Sequence, residues 1–295
     1  MELVLQLLLN GIAIGAVYSM VALGFSLIYN ATKVLHIAHG AIYTISAYLI
    51  FLTFTQFKLS LFISIPLSLI GVMLLGIFME VLIYKPLWRK NAPLITSFIS
   101  SLGLYIFLQN LIALVYGNQI QVLTTEPQKT FYLGNIIISN IQLLEIITFI
   151  FIAIIFYLIF SFTKFGKLLK ALSDNPLLTE VLGIDIDSLR IKTFVIGSLL
   201  AGIGGILSAF DTGLEPTMGL PIILSSITAV IVGGVNVFEG ALLGGILVGI
   251  LEALTIWKFS AKWQSVAVFL ILIIFLLFKP EGLLGTKRRL EEVRV

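Results

Sequence analysis

Leu143-Leu-Glu-Ile-Ile-Thr-Phe-Ile-Phe-Ile-Ala-Ile-Ile-Phe-Tyr-Leu-Ile-Phe-Ser-Phe162 runs straight into Thr163-Lys-Phe-Gly-Lys-Leu-Leu-Lys-Ala-Leu-Ser-Asp-Asn-Pro-Leu-Leu-Thr-Glu-Val-Leu-Gly-Ile184. The first part is a membrane span: about 20 mainly apolar residues cross the hydrocarbon as a helix. The second is a basic, partly amphipathic loop. Within it Asn175 suits an N-cap, Pro176 the first helical position and Gly183 the residue just past the end. That predicts a helix of about two turns over Pro176–Leu182, too short to persist alone in water. Leu177, Leu178, Val181 and Leu182 give it an apolar edge by which neighbours can hold it. The loop therefore reads as a handle for a soluble partner, or as a helix lying on the bilayer surface.

The same composition extends outward in both directions. Hydrophobic residues fill 59% of the 295 positions and charged residues 11%, against roughly a quarter charged in soluble domains. The fold class is all-α, a polytopic membrane protein in one domain over 1–295. Apolar segments fall at 3–29, 38–56, 60–84, 94–116, 143–162, 192–212, 220–236, 239–257 and 263–279. The seventh is short, and Gly233-Gly234 breaks it from the eighth, so eight or nine helices are expected, some broken or re-entrant. Glu2 leads into an apolar stretch too long for a secretory leader, which predicts a retained first span.

With nine spans and the 163–191 loop in the cytoplasm, the cytoplasmic side holds Lys33, Lys85, Arg89, Lys90, Lys164, Lys167, Lys170, Arg190, Lys192, Lys279, Lys287, Arg288, Arg289 and Arg294. Of the 18 basic residues, that leaves Lys58, Lys129, Lys258 and Lys262 outside. The positive-inside rule favours this orientation, with the C-terminus cytoplasmic. The external stretch 117–142 is long enough for a hairpin cap between Gln121–Thr124 and Thr130–Ser139. Its turn would be Glu126-Pro127-Gln128-Lys129.

Several chemistries are excluded. Basic residues flank apolar spans and do not interleave with aromatics on a soluble face, so no nucleic-acid partner is implied. There is no cysteine. His36 and His39, the only two histidines, lack nearby acids and make a poor metal site, fitting hydrogen bonding around a helix entry better. No phosphate-binding loop and no nucleophile elbow occur, so no cofactor or enzymatic activity is expected, and any ATP would be bound by another subunit.

Acidic residues are sparse at membrane depth, where each is costly. Glu80 lies one turn from the cytoplasmic end of the third span, with Lys85 or Arg89 as expected partner. Glu252 sits in the outer third of the eighth, and Asp211 and Glu215 at the outer mouth. No paired carboxylates of a proton relay appear, which counts against the main rival, an ATP-independent secondary transporter or channel for small neutral solutes.

Gln109 and Asn110 in the fourth span can join helices or meet a neutral or zwitterionic solute. Gly11/Gly15, Gly240/Gly244 and Gly245/Gly249, each four apart, allow close helix packing. His39-Gly-Ala and Glu239-Gly-Ala open two spans alike, as an internal repeat with broken helices would.

Taken in order, these motifs resemble the permease subunits of branched-chain amino-acid (Liv-type) ABC importers, specifically the H-like member of the permease pair. The resemblance runs through Gly24-Phe-Ser-Leu-Ile-Tyr29, Val34-Leu-His-Ile-Ala-His-Gly40, Glu80-Val-Leu-Ile-Tyr-Lys-Pro-Leu87, Ala92-Pro-Leu94 and Leu102-Gly-Leu-Tyr-Ile-Phe-Leu-Gln-Asn110. It continues through Leu182-Gly-Ile184, Ala201-Gly-Ile-Gly-Gly205, Gly233-Gly234, Gly240-Ala-Leu-Leu-Gly-Gly245 and Lys279-Pro-Glu-Gly282.

It implies alternating access in a bacterial or archaeal plasma membrane, for branched-chain or other neutral amino acids; urea and short amides also fit the class. It further implies two cytoplasmic ATPases, a second and different permease, and an extracytoplasmic solute-binding protein. Lys167, Lys170, Asp174, Asn175, Pro176, Leu178, Glu180, Leu182 and Gly183 are the expected ATPase-coupling residues. His39, Gly40, Gln109, Asn110, Asn236 and Glu239 are the expected solute-path residues, with the N–H groups of a helix starting at Gly40 or Gly240 facing a carboxylate.

Overall fold

Helix α1 (Glu2–Thr32) is the axis of the bundle, because its small residues let other backbones come close. A Cβ on Gly11 would stand 2.7 Å from the Ile250 Cα, and one on Gly15 2.8 Å from the Ile246 Cα. Both of those belong to helix α11 (Phe238–Lys258), whose Gly245 and Gly249 answer from the other side. The glycines spaced by four thus face each other across one interface, where backbone contact and dispersion replace the hydrophobic drive that lipid removes.

The computed structural model describes residues 2–124, 128–134 and 136–285. The basic tail Lys287, Arg288, Arg289 and Arg294, and Glu126 and Pro127 of the expected hairpin turn, lie outside the described residues. Among the described residues, seven helical segments are long and apolar enough to cross a membrane. They are α1; the rod Leu61–Arg89, in which α3 (Leu61–Met79) continues through a π-helical stretch into α4 (Lys85–Arg89); α5 (Leu94–Tyr116); α6 (Asn140–Phe162); α9 (Ile186–Asp211); α11; and Ala261–Phe278, containing α12 (Gln264–Phe278).

Two shorter helices complete the nine apolar segments: α2 (His39–Ile50, extended by a π-helical turn to Gln56) and α10 (Gly219–Gly233). Both start inside the bundle. The His39 Nε2 sits 2.9 Å from where a Gly24 Cβ would be, and a Cβ on Gly40 would lie 2.6 Å from the Gly219 carbonyl oxygen. The buried return from α1 to α2 keeps its backbone satisfied locally. The Ala38 N–H donates to Ser101 Oγ (3.0 Å), the Val34 N–H to Thr32 Oγ1 (3.2 Å) and the His39 N–H to the His36 carbonyl (3.2 Å).

The bundle has two distinct ends. At one, Gln6 binds the Ile137 backbone, Gln121 pairs with Leu214, and Gln128 donates to the Phe210 carbonyl. The expected hairpin lies here, but in a different register. Strand β1 (Thr130–Leu133) pairs antiparallel with β2 (Ile136–Ser139), turning at Gly134, whose φ is +66°. The second apolar run folds on itself, because glycine supplies the turn that a Pro-containing linker was expected to make. Ser139 and Gln142 then form a capping box that starts α6.

At the other end lie α4, the turn between α10 and α11, residues 279–285, and two helices within the 163–191 loop: α7 (Lys164–Asp174) and α8 (Pro176–Val181). The charged composition of Lys164–Asp174 predicts loop. The segment is instead a helix, capped by Thr163 Oγ1 accepting from the Gly166 N–H at 3.2 Å. It buries Leu169 and Leu172 against the bundle and leaves its lysines outside. An apolar stripe at helical spacing explains it: four apolar residues at 165, 168, 169 and 172 share one face.

Candidate functional site

The surface around α8 is built by three consecutive capped helices. Asn175 Oδ1 accepts from the Leu178 N–H (3.0 Å), as its N-cap role requires, and Thr179 Oγ1 donates back to the Asn175 carbonyl (2.8 Å). The helix ends at Val181, one residue before the predicted end, with Leu182 as C-cap, and Gly183 follows at φ +77°. The Gly183 N–H donates to the Glu180 carbonyl (2.9 Å) and the Ile184 N–H to the Thr179 carbonyl (3.4 Å), a Schellman closure. Asp185 Oδ1 then caps α9 by accepting from the Ser188 N–H at 3.1 Å.

All nine expected coupling residues, Lys167, Lys170, Asp174, Asn175, Pro176, Leu178, Glu180, Leu182 and Gly183, are exposed. Among the apolar ones Leu178 is 55% exposed and Leu182 68%, with Val181 beside them at 82%. The chain therefore leaves this apolar edge of α8 uncovered. Its own attachment is through Thr179, 2% exposed, and through its neighbours α7 and α9.

Behind α7, one residue ties three elements. Asn30 near the end of α1 is 1% exposed. Its Oδ1 accepts from Ser173 Oγ on α7 (3.0 Å), and its Nδ2 donates to the Val235 carbonyl in the α10–α11 turn (2.8 Å). No local sequence signal assigns Asn30 this role, since its partners lie 143 and 205 residues away.

The ion pairs differ from expectation. Glu80 does not pair with Lys85 or Arg89. Its carboxylate accepts from Arg190 Nε (2.6 Å) and Nη2 (3.2 Å), a fork between two groups that are 1% and 2% exposed. The Arg190 guanidinium also lies 5.0 Å from the Trp88 ring centroid. Lys85 and Arg89 instead hold Asp187 at 2.8 and 2.7 Å, near the surface. The cause is that α9 begins at Ile186, one and a half turns before the sixth apolar segment, and carries Arg190 inward. Between these groups and α8 lies a cleft of about 550 Å³ lined by Trp88, Arg89, Asn91, Glu180 and Ile184–Asp187.

The six expected path residues fall in three places. His39 and Gly40 are in the interior, where α2 and α10 begin side by side. His36 Nδ1 is hydrogen-bonded to Tyr84 Oη at 2.8 Å, and the two histidine rings lie 5.7 Å apart. Gln109 is half-buried on α5, and Asn110 is exposed, donating only to the Ile106 carbonyl of its own helix (2.7 Å). Asn236 and Glu239 are at the α7 end. They share a cleft of about 200 Å³ with Lys170, Ser173 and Asp174, so two path candidates adjoin two coupling candidates. Gly240 packs on the Gly233 backbone and presents no open helix start. Among the described residues no set of three His, Asp or Glu side chains converges as a metal site.

Glu252, in α11, gathers Tyr18 Oη (2.5 Å), Ser225 Oγ (2.8 Å) and Gln264 Nε2 (2.5 Å) from three other elements. It is a satisfied buried carboxylate that fixes α12 to the bundle, which no local signal announced.

The family described as the permease component of the branched-chain amino acid transport system matches residues 7–277. The chain is 30% identical to the high-affinity branched-chain amino acid transport system permease protein BraD of Pseudomonas aeruginosa, covering 95% of each. It is 29% identical to the probable branched-chain amino acid transport permease protein LivH of Methanocaldococcus jannaschii, covering 90% of this chain and 88% of that one. Among solved structures, PsaBC from Streptococcus pneumoniae in complex with Fab has a TM-score of 0.51 at 14% identity, over 92% of this chain and 91% of that one. That last likeness is one of fold.

Proposed function

Because the chain belongs to the family of branched-chain amino acid transport permease components, we propose that it is the membrane-spanning subunit of an ABC importer for branched-chain or other neutral amino acids. It works by alternating access, with ATP hydrolysed in two separate cytoplasmic subunits. A second, different permease completes the conduit, and an extracytoplasmic binding protein delivers the solute. The whole of 1–295 acts as one permease domain, with 117–142 as its external loop and 163–191 as its coupling loop.

The α7 end faces the cytoplasm. Among the described residues it carries Lys33, Lys85, Arg89, Lys90, Lys164, Lys167, Lys170, Arg190, Lys192 and Lys279, while Lys58, Lys129, Lys258 and Lys262 lie toward the hairpin end. Lysine and arginine concentrate on the cytoplasmic side of membrane proteins.

The observation that carries this reading is the exposed apolar edge of α8, held out by caps at both ends. A helix so short is kept in shape by its neighbours and its caps, so its free face is left to receive a groove on another protein. When ATPases close on nucleotide they pull α8. The pull passes through α7 and Ser173 to Asn30, and from there to Val235 in the α10–α11 turn. That turn stands beside Asn236 and Glu239 at the inner mouth. His39 and Gly40, where two helices begin in the interior, lie further along the solute path.

The test replaces Leu178 and Leu182 together by aspartate and measures ATPase recovery with the tagged permease from membranes. Recovery should fall while the permease itself accumulates normally, since both side chains are already exposed. Undiminished recovery refutes the docking role. Concentrative uptake by the purified chain alone in liposomes refutes the ATP-driven reading altogether.

A further inference from the structure

Glycine inside the helices of this protein marks backbone contact. At Gly11, Gly15, Gly40, Gly244 and Gly249 an added Cβ would meet another backbone at once. Gly103, midway along α5, is different. Among the described residues it is the one glycine within a helix with nothing inside 4 Å of that position. Seven residues further on the same helix is Asn110, exposed, with its Oδ1 free and one N–H engaged by the Ile106 carbonyl.

At 3.6 residues per turn the two lie within about 20° of one another around the axis. They stand at the middle of a face completed by Ile99, Ile106, Phe107 and Leu114, which are 60%, 50%, 62% and 83% exposed. Elsewhere the exposed surfaces of α3, α6 and α12 are aliphatic or aromatic through their middle turns, as lipid contact demands. Asn110 lies well inside the apolar helix α5, six residues before its end at Tyr116, and the part of its amide that the Ile106 carbonyl leaves unmet gains from a polar partner on another helix. Transmembrane helices associate through small residues that let backbones approach and through amide or hydroxyl side chains that bond across, and this face offers one of each.

We propose that this face of α5 is where the second permease subunit docks. The occupant is a membrane-spanning helix of that subunit, carrying a small residue against Gly103 and a side chain with both donor and acceptor against Asn110. The inference rests on the two-permease reading above and deepens it by naming the surface. A two-fold or pseudo-two-fold axis along the membrane normal sets corresponding faces of two like-folded subunits together, so the counterpart of α5 in the other permease is the natural partner.

The experiment incorporates a photo-reactive benzoyl-phenylalanine at Phe107 or Leu114, with Leu74 on α3 as reference, in cells expressing the complete transporter. Adducts are identified by mass spectrometry. The α5 positions should link to the other permease and the α3 position to lipid. Links from α5 to lipid, or to a second copy of this chain, overturn the proposal, as does labelling of an Asn110→Cys variant by a membrane-impermeant maleimide in the assembled transporter. The chain has no native cysteine, so such labelling is unambiguous.

A Gly103→Leu variant has room within its own chain and should fold, yet lose about tenfold in recovery of the other permease, equivalent to about 1.4 kcal/mol. Unchanged recovery with Gly103→Leu also overturns the proposal. If the other permease is recovered but α5 fails to contact it, the surface is wrong and the two-permease reading stands. If no second permease is recovered with the unaltered chain, both fall.

Discussion

Replacing Glu80 by alanine should destabilise this protein more than any change at its surface charges. The carboxylate and its partner Arg190 are 1% and 2% exposed and joined by two hydrogen bonds. Removing the acid leaves a guanidinium buried between α3, α4 and α9 with Trp88 as its remaining neighbour. Breaking a buried pair from one side costs about 3–5 kcal/mol, mostly because the surviving charge has lost its solvent and its partner together. By contrast the pair itself is worth little relative to an apolar filling of the same size. A double change, Glu80→Met with Arg190→Met, should therefore recover stability to within about 1 kcal/mol of the parent.

The outer cluster sets the scale. Arg89 is 61% exposed in its pair with Asp187, so Arg89→Ala should cost under about 1 kcal/mol. Thermal unfolding of the detergent-solubilised chain, followed by fluorescence-detected size exclusion, separates these cases. At roughly 2–4 °C per kcal/mol for a chain of this size class, Glu80→Ala should lower the midpoint by about 10 °C, and Arg89→Ala by a few degrees at most. If Glu80→Ala and Arg89→Ala behave alike, or if the double variant is no better than the single, the buried fork is not what joins α3 to α9.

Other outcomes follow from the same contacts. Gly249→Leu should abolish accumulation of folded protein, because its Cβ would strike the backbone of Gly11 and Gly15; normal yield with an unshifted unfolding midpoint would refute the backbone contact. Asn175→Ala should weaken α8 by about 1 kcal/mol through loss of the N-cap, read as reduced ATPase recovery that Asn175→Asp or Asn175→Ser restores. Asn30→Ala should leave ATPase recovery intact while raising the ATP hydrolysed per solute moved, since α8 still docks but its link to Val235 is cut; an unaltered ratio would remove Asn30 from the coupling route. Glu252→Leu strips the acceptor from Tyr18, Ser225 and Gln264 and should speed hydrogen exchange in α12, and exchange unchanged there would mean that lipid alone holds that helix.

Local chemistry sufficed for much of this protein. The nine apolar segments follow from hydrophobic run length, because hydrocarbon admits only helices whose backbone bonds close within the segment. The N-cap at Asn175 and the closure at Gly183 follow from residues within one turn of each other. The α7 helix is masked in the sequence despite its apolar stripe, since charged residues at 164, 167 and 170 give the segment the composition of a loop.

What the sequence alone determined, then, is the class of the chain, its apolar segments and the short, doubly capped form of α8. Its order of motifs also pointed to the family that the matched residues 7–277 then established. Tertiary structure alone decided which charges meet and how deep in the bundle α2 and α10 begin. Glu80 found Arg190, 110 positions away, ahead of Lys85 five positions away, because α9 starts early enough to carry the guanidinium into a dry site. Asn236 and Glu239 lie beside α7, while His39 and Gly40 sit in the interior, because depth in a bundle is set by packing between distant segments. No periodicity within a segment encodes that.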